Sequence, residues 1–365
     1  AAIAAAATLG VTEPYSSGIG GGGFFVHYDA KTGKVQTIDG RETAPASMPH
    51  DAFIDPSTGQ PYNFTPELVT SGVSVGTPGS LATWQKALDR WGTMTLGQTF
   101  RPAIRVADRG FVVDATFREQ TLENKERFAA FRSSRKLFLP GGDAPAVGSI
   151  FRNPALAQTY RGIAAHGITS FYRGKLGQQI AQTAQHPPQT ATTPLPVPPG
   201  YLHLSDLKKY STINHKPTHV GYRGYDVYGM APSSSGGSTI GEALNIMERS
   251  DLSAMSEPDA LHHYLDASAL AFADRGAYVG DRKYDTVPLR ALLSDKYAAE
   301  RACLISSTTA LAATVPADDP YDYDGSCGST PARPASTAPD TENLNTTNMT
   351  VADRLDNIIE YTLTI

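Results

Sequence analysis

Thr346-Thr347-Asn348-Met349-Thr350-Val351-Ala352-Asp353 begins directly after a stretch that has little with which to build a core. Ala312 to Asn345 is rich in Pro, Asp, Ser, Thr and Ala, and sets Asp318, Asp319, Asp322, Asp324, Asp340 and Glu342 against one basic residue, Arg333. Such a composition buries too little apolar surface to offset chain entropy, so it reads as a mobile tail. From Thr346 the residues read as a strand, Leu355-Asp356-Asn357 as a turn, and Ile358 to Thr364 as the returning strand. A plain linker explains the tail but not a strand that opens on two threonines. If the bond before Thr346 is cut, that residue owns a hydroxyl and a free α-amine. The amine has a reference pKa of about 7.7–8.0, so part of it is neutral near pH 7 and can serve as base for its own hydroxyl. The cut itself can be autocatalytic, with the Thr346 hydroxyl attacking the Asn345 carbonyl. The competing explanation is that threonine simply favours strands.

The rest of the chain narrows the class. Its 365 residues allow two ordinary domains or one large one, at roughly 150 residues per domain. Hydrophobic residues make up 40% and charged residues 18%, which is globular. Lys and Arg number 31 against 36 Asp and Glu, for a net charge of −5. A protein that binds nucleic acid by neutralising phosphates carries a basic excess, and none is present. The two cysteines, Cys303 and Cys327, exclude a disulfide scaffold, a Cys-rich zinc site and an iron–sulfur site. They bridge if the compartment is oxidising and are ordinary thiols otherwise. No apolar run reaches the ~18 residues of a membrane span. Ala1 to Gly10 reads as a helix entered partway and stopped at Gly10. With the far end stopping inside a strand, the expectation is a piece cut at both ends.

Other elements follow from local pattern. Gly18-Ile19-Gly20-Gly21-Gly22-Gly23 fits GxGxxG, but a helix precedes it and the strand Phe24 to Tyr28 follows, the reverse of a dinucleotide site. Close approach of the backbone to another element or a ligand is the better role. Lys31-Thr32-Gly33-Lys34 reads as a hairpin turn and Val35 to Asp39 as the return strand, ending at Asp39-Gly40-Arg41-Glu42-Thr43-Ala44-Pro45. Arg41 there either holds a carboxylate bidentately or forms an ion pair with Glu42 or a neighbour. Helices are expected over Ser80 to Trp91 and Phe100 to Arg109, and a short one from Ser205. Tyr222 to Tyr228 reads as a strand, and a helix starts at Ser256 with Asp259 as capping partner and a face of Leu261, Leu265, Ser268 and Phe272. His262 and Asp266 share a side of that helix, but no third residue points to a metal site.

Taken together, Glu13-Pro14-Tyr15-Ser16-Ser17-Gly18-Ile19-Gly20-Gly21-Gly22, Asp39 to Pro45, Pro232-Ser233-Ser234-Ser235-Gly236-Gly237, Phe272-Ala273-Asp274-Arg275 and Thr346-Thr347 resemble the γ-glutamyltransferase (γ-glutamyltranspeptidase) family from Ala1 to Ile365. The resemblance implies an α+β fold, the four-layer αββα sandwich of the N-terminal nucleophile hydrolases, incomplete at both ends. It implies a precursor that cuts itself between Asn345 and Thr346, so that residues 1–345 are the large-subunit portion, with 312–345 its tail, and 346–365 begin the small subunit of a heterodimer. Thr346 matches the nucleophile, Thr364 the threonine that orients it, and Arg41 the arginine that binds the donor α-carboxylate. The implied substrates are glutathione and other γ-glutamyl compounds as donors, and water, amino acids or peptides as acceptors. No metal or organic cofactor is implied, and the implied location is periplasmic or extracellular. Relatives usually carry His where this chain has Asn348, and Gly before Asn where it has Asp356-Asn357. The rival expectations are an acylase of the same superfamily acting on glutaryl or poly-γ-glutamyl substrates, and a non-catalytic relative. The 365-residue stretch on its own is expected to be inactive, because further donor-binding residues of the family lie beyond Ile365.

Overall fold

A computed structural model describes residues 1–312, 314–328 and 346–365 of the chain, and it is a mixed helix and sheet structure. In chain order, the elements that matter below are helix α1 (Ala2–Thr12), strands β1 (Gly22–Asp29) and β2 (Lys34–Asp39), and helices α2 (Ser80–Trp91), α3 (Arg101–Arg109) and α4 (Pro154–His166). They continue with strands β3 (Thr218–Tyr222) and β4 (Tyr225–Gly229), helices α5 (Gly236–Met247), α6 (Glu257–Tyr278) and α7 (Asp295–Ala302), and strands β5 (Thr347–Ala352) and β6 (Ile358–Thr364). The chain forms two units: Ala1–Phe25 with Ile38–Ile213 and Thr341–Ile365, and Val26–Thr37 with Asn214–Asp340. No helix among the described residues is long and apolar enough to cross a membrane.

A four-stranded sheet has the order β2-β1-β6-β5, with β5 and β6 antiparallel. Period-2 alternation sends Met349, Val351, Ile359, Tyr361 and Leu363 to the core side of this hairpin, where they pack against α1, α2, α3 and α4 residues. Tyr361 and Leu363 are fully buried. The Trp84 indole N–H donates to the Tyr361 hydroxyl at 3.0 Å, and both side chains are 0% exposed. Phe25, Trp91, Phe100 and Tyr160 extend the aromatic contacts around this bond. The expected helices over Ser80 to Trp91 and Phe100 to Arg109 are present, the second starting one residue later. Helix α1 does not stop at Gly10 but runs on to Thr12. Gly10 serves packing instead, since a β-carbon on it would lie 3.3 Å from the Gly18 Cα and 3.2 Å from the Tyr160 hydroxyl.

The β5–β6 turn is held by Asp353, whose carboxylate accepts the Leu355 N–H at 2.8 Å, the Asn357 N–H at 3.1 Å and the Asn357 side-chain amide at 3.0 Å. Asp356 sits in the left-handed region, φ 63°, at the place where relatives are expected to carry glycine. Aspartate tolerates that conformation better than most residues, but only glycine adopts it without steric cost.

In the second unit, the stretch expected as one strand from Tyr222 to Tyr228 is a hairpin, β3 paired with β4 and Tyr222 opposite Tyr225. Arg223 and Gly224 both have positive φ, 52° and 82°, as a two-residue type I′ turn requires. An arginine at the first position hid the turn from sequence reading. Ser256 caps α6 through the Asp259 N–H, as expected. The face assigned to that helix is reversed, however. Leu261, Leu265 and Phe272 are 52%, 62% and 51% exposed, and the buried side is His263, Asp266, Ala267, Leu270, Ala271 and Asp274. Small residues on the buried side let it pack with Ile246, Met247 and Ala298 of α5 and α7, while the larger apolar residues stay outside. His262 hydrogen-bonds the Ser306 carbonyl at 2.7 Å and lies 3.5 Å from Asp266.

Charged groups also knit this unit. Arg301 places its Nε 2.9 Å from Asp274 Oδ2 and donates to the carbonyls of Leu270 and Pro316, both at 3.2 Å. Asp274 in turn accepts the Asp318 N–H at 2.8 Å, Tyr278 donates to the Asp318 carbonyl at 2.7 Å, and Glu300 accepts the N–H groups of Asp324 at 2.5 Å and Gly325 at 2.7 Å. Cys303 and Cys327 form a disulfide with Cα atoms 5.6 Å apart. The first part of the stretch read as a tail, residues 314–328, is therefore bonded to α6 and α7; the remainder, 329–345, lies outside the described residues. Composition did not show this because the partners are buried charges rather than apolar surface.

Asp356→Gly relieves the left-handed turn and stabilises the protein by about 1 kcal/mol, read as a rise in denaturation midpoint; a fall would remove the strain argument. Glu242 is buried beside Asp274, and burial followed by the Asp274 charge holds its carboxyl well above the usual range. Burial raises the Asp274 carboxyl as well, opposed by its hydrogen bond with Glu242 and by the Arg301 charge, so Glu242 is the member of the pair placed to keep the proton. A carboxyl raised in the folded state favours folding fully below its unfolded pKa of about 4.3 and loses that contribution as pH rises through the folded value. Wild-type stability should thus contain a component that declines with rising pH above that point, and Glu242→Gln should flatten it; unfolding curves at several pH values with parallel slopes for both proteins would refute the assignment.

Candidate functional site

The outer face of the β5–β6 hairpin carries a polar ladder set by register. Asn348 lies opposite Thr362 and Thr350 opposite Glu360, while Thr347 and Leu363 pair on the core side. Across this ladder the Asn348 amide donates to Thr362 Oγ1 at 2.8 Å and the Thr350 hydroxyl to Glu360 at 2.5 Å. At its open end the Thr346 hydroxyl faces that of Thr364 at 3.4 Å. The two threonines selected from sequence, 18 positions apart, are thus brought together by strand pairing. Asn348, where relatives are expected to carry histidine, is occupied in bonding its cross-strand partner. Asn345, the other half of the expected cleavage junction, lies outside the described residues.

The glycine run packs against this end of β6. A β-carbon on Gly21 would overlap the Thr364 carbonyl oxygen, and one on Gly23 would overlap that of Thr362. Gly20, by contrast, has nothing within 4 Å. The Gly21 carbonyl accepts the N–H groups of Gly79 at 2.9 Å and Ser80 at 3.0 Å, satisfying donors that the start of α2 leaves without helical partners. The Ser80 hydroxyl donates to the Gly18 carbonyl at 3.0 Å. Of the two roles left open for the run, approach to another element is what the structure displays.

The same loop reaches the turn that carries Arg41. A β-carbon on Gly22 would overlap the Gly40 carbonyl oxygen and come 2.8 Å from Glu42 Oε2. The Arg41 N–H donates to the buried Asp39 carboxylate at 2.9 Å, and its carbonyl accepts the Tyr210 hydroxyl at 2.8 Å. With the backbone fixed, the exposed guanidinium lies 5.8 Å from the centre of the Phe24 ring, within cation–π range. The carboxyl of Glu42 is set inward and is raised from its usual range, chiefly by burial, against the opposing effect of its own and the Gly22 N–H groups and the Arg41 charge. Among the described residues no ion pair joins Arg41 to Glu42, so the ion-pair alternative is not the arrangement seen.

Sequence reading missed two residues here. Glu13, at the end of α1, accepts the Thr347 hydroxyl at 3.1 Å, and Phe24 flanks Arg41. Neither has a local signal, since both act across elements far apart in sequence. Chemically, the arrangement offers a hydroxyl at a strand start, a second hydroxyl beside it, and an exposed cation on a neighbouring turn. No group of three or more His, Cys, Asp or Glu among the described residues is arranged to hold a metal ion.

Comparison with known proteins bears on the family of the chain. The profile of the family Gamma-glutamyltranspeptidase matches residues 1–365. A glutathione hydrolase proenzyme of Bacillus subtilis (strain 168) is 35% identical over all of this chain and 60% of its own length. An acylase ACY 1 proenzyme of Pseudomonas sp. (strain V22) is 32% identical, again over all of this chain and 60% of that protein. The crystal structure of Helicobacter pylori γ-glutamyltranspeptidase superposes with a TM-score of 0.77 at 32% identity, covering 85% of each chain. The chain spans about 60% of the length of these curated relatives. By the match over its whole length, the chain belongs to the γ-glutamyltranspeptidase family.

Proposed function

We propose that the whole precursor is a self-processing γ-glutamyltransferase and hydrolase, and that Thr346 is its nucleophile. The single observation that carries this is the Thr346–Thr364 pair at the head of the polar ladder. In the precursor the Thr346 hydroxyl attacks the Asn345 carbonyl, and hydrolysis of the resulting ester leaves Thr346 as a new N-terminus. Residues up to Asn345 then belong to a large subunit and those from Thr346 to a small one, the two forming a heterodimer within a four-layer αββα sandwich. The freed amine takes the hydroxyl proton as Thr346 attacks the γ-amide carbonyl of glutathione or another γ-glutamyl compound. The amine leaving group takes a proton as it departs, and the γ-glutamyl ester passes to water, an amino acid or a peptide. Thr364 orients the nucleophile, and Arg41 binds the donor α-carboxylate.

The Cys303–Cys327 bridge fits an oxidising setting, so a periplasmic or extracellular location is part of the proposal. Activity is proposed for the whole precursor, and the 365-residue stretch alone is expected to show no turnover. A second reading is an acylase for glutaryl or poly-γ-glutamyl substrates. The 32% identity to an acylase proenzyme is what favours it. Arg41 suits the carboxylate that γ-glutamyl, glutaryl and poly-γ-glutamyl donors share, so the group that separates the two readings is the free α-amine, absent from glutaryl and acylated within poly-γ-glutamyl chains.

The precursor should separate into two chains on a denaturing gel, and Thr346→Ala should remain one; a wild type that stays whole yet hydrolyses a γ-glutamyl anilide contradicts the mechanism. Arg41→Gln should lower kcat/KM for γ-glutamyl donors roughly 10- to 100-fold, the loss expected for hydrogen bonds to a charged group. 4-Aminobutyryl donors, which keep the amine but lack the carboxylate, should be almost unaffected. Equal losses for both donors would remove Arg41 from carboxylate binding.

A further inference from the structure

Glu13 stands where local physics disfavours it. It follows the last turn of α1, whose carbonyl end is the negative pole of the helix, and that turn holds no basic residue to offset it. No ion pair among the described residues includes Glu13. Its backbone is firmly set: the N–H donates to the Leu9 carbonyl at 2.6 Å, and its own carbonyl accepts the N–H groups of Ser16 and Ser17, both at 3.1 Å. Pro14 narrows its conformation further. The side chain carried on this mount accepts the Thr347 hydroxyl at 3.1 Å. A carboxylate kept against the helix dipole, with one hydroxyl as its partner, is a local conflict of the kind that marks function.

The location of that hydroxyl makes the contact informative. Thr347 is the first residue of β5, paired opposite Leu363, and strand alternation puts it on the core side while Thr346 faces outward. Thr364 approaches Thr346 from the outer side and Glu13 approaches Thr347 from the inner one. The start of β5 is therefore held from both faces.

We propose that Glu13 is a positioning residue for self-cleavage: by bonding Thr347 it fixes the orientation in which Thr346 leaves the strand and faces the preceding carbonyl. This rests on the reading of Thr346 as nucleophile. Once cleavage has occurred, the same carboxylate lies one residue from the newly formed amine.

The test is the first-order rate of chain separation in the intact precursor. Glu13→Ala should slow it about tenfold, the effect expected of one charge-assisted hydrogen bond. Glu13→Gln keeps an oxygen that accepts the hydroxyl and should recover most of the rate, which a merely structural role would not predict. Thr347→Val should match Glu13→Ala, and the double variant should be no slower than either single one. A wild-type rate for Glu13→Ala, no recovery with Gln, or multiplicative losses in the double variant would overturn the proposal. A second measurement stands apart from cleavage. In the Thr346→Ala background, Glu13→Ala should speed amide hydrogen exchange at the start of β5 several-fold, and unchanged exchange there would also overturn it. If the Thr346→Ala precursor still divides, the nucleophile assignment fails, while the exchange comparison continues to judge Glu13.

Discussion

Register between β5 and β6 is the constraint on which the site depends. Strand side chains alternate, so a slip of one residue would exchange the two faces of the hairpin. Thr346, Asn348, Thr362 and Thr364 would then turn toward the core, and Tyr361 and Leu363 toward solvent. What prevents the slip is the buried bond from Trp84 to Tyr361, set among aromatic rings with no water to replace either partner. Leaving such a donor unmet costs about 1–3 kcal/mol. The outer ladder alone is exposed and could not supply this restraint, since exposed polar pairs contribute little. The polar site is thus positioned from the apolar side of the sheet.

Glycines extend the restraint sideways. Gly21 and Gly23 let β1 and its preceding loop lie against β6, Gly22 lets the Arg41 turn lie against that loop, Gly40 leaves room for the Thr83 hydroxyl of α2, and the Gly21 carbonyl closes the start of α2. A side chain at Gly21, Gly22 or Gly23 would force the backbones apart. The Arg41 turn is then held by Asp39 and Tyr210, which leaves the guanidinium exposed with Phe24 beside it. One loop therefore touches both the strand end bearing Thr364 and the turn bearing Arg41.

Much of this was legible because its signals are local. Threonines at a strand start, a glycine run with strand rather than helix after it, and the apolar spacing of α2 can each be read within a dozen residues. The family resemblance rested on such pieces, and the match over residues 1–365 agrees with it. Other features were hidden because their partners lie far away. Glu13 and Thr347 are 334 positions apart, and Trp84 and Tyr361 are 277 apart. The buried side of α6 was misread because apolar residues occupy two sides of that helix, and alanines with a paired Asp274 won the interior. Arg223 concealed a turn that an Asn-Gly pair would have announced. Cys303 and Cys327 could be counted from sequence, but whether they pair depends on how the chain folds back on α7.

The central claim is that the functional boundary of the chain lies between Asn345 and Thr346, at the head of β5. Sequencing the N-terminus of the smaller chain from the matured protein tests it most directly. The account predicts a single start, Thr346-Thr347-Asn348-Met349-Thr350. A start at any other residue, or a fully active protein with no second chain, would contradict it.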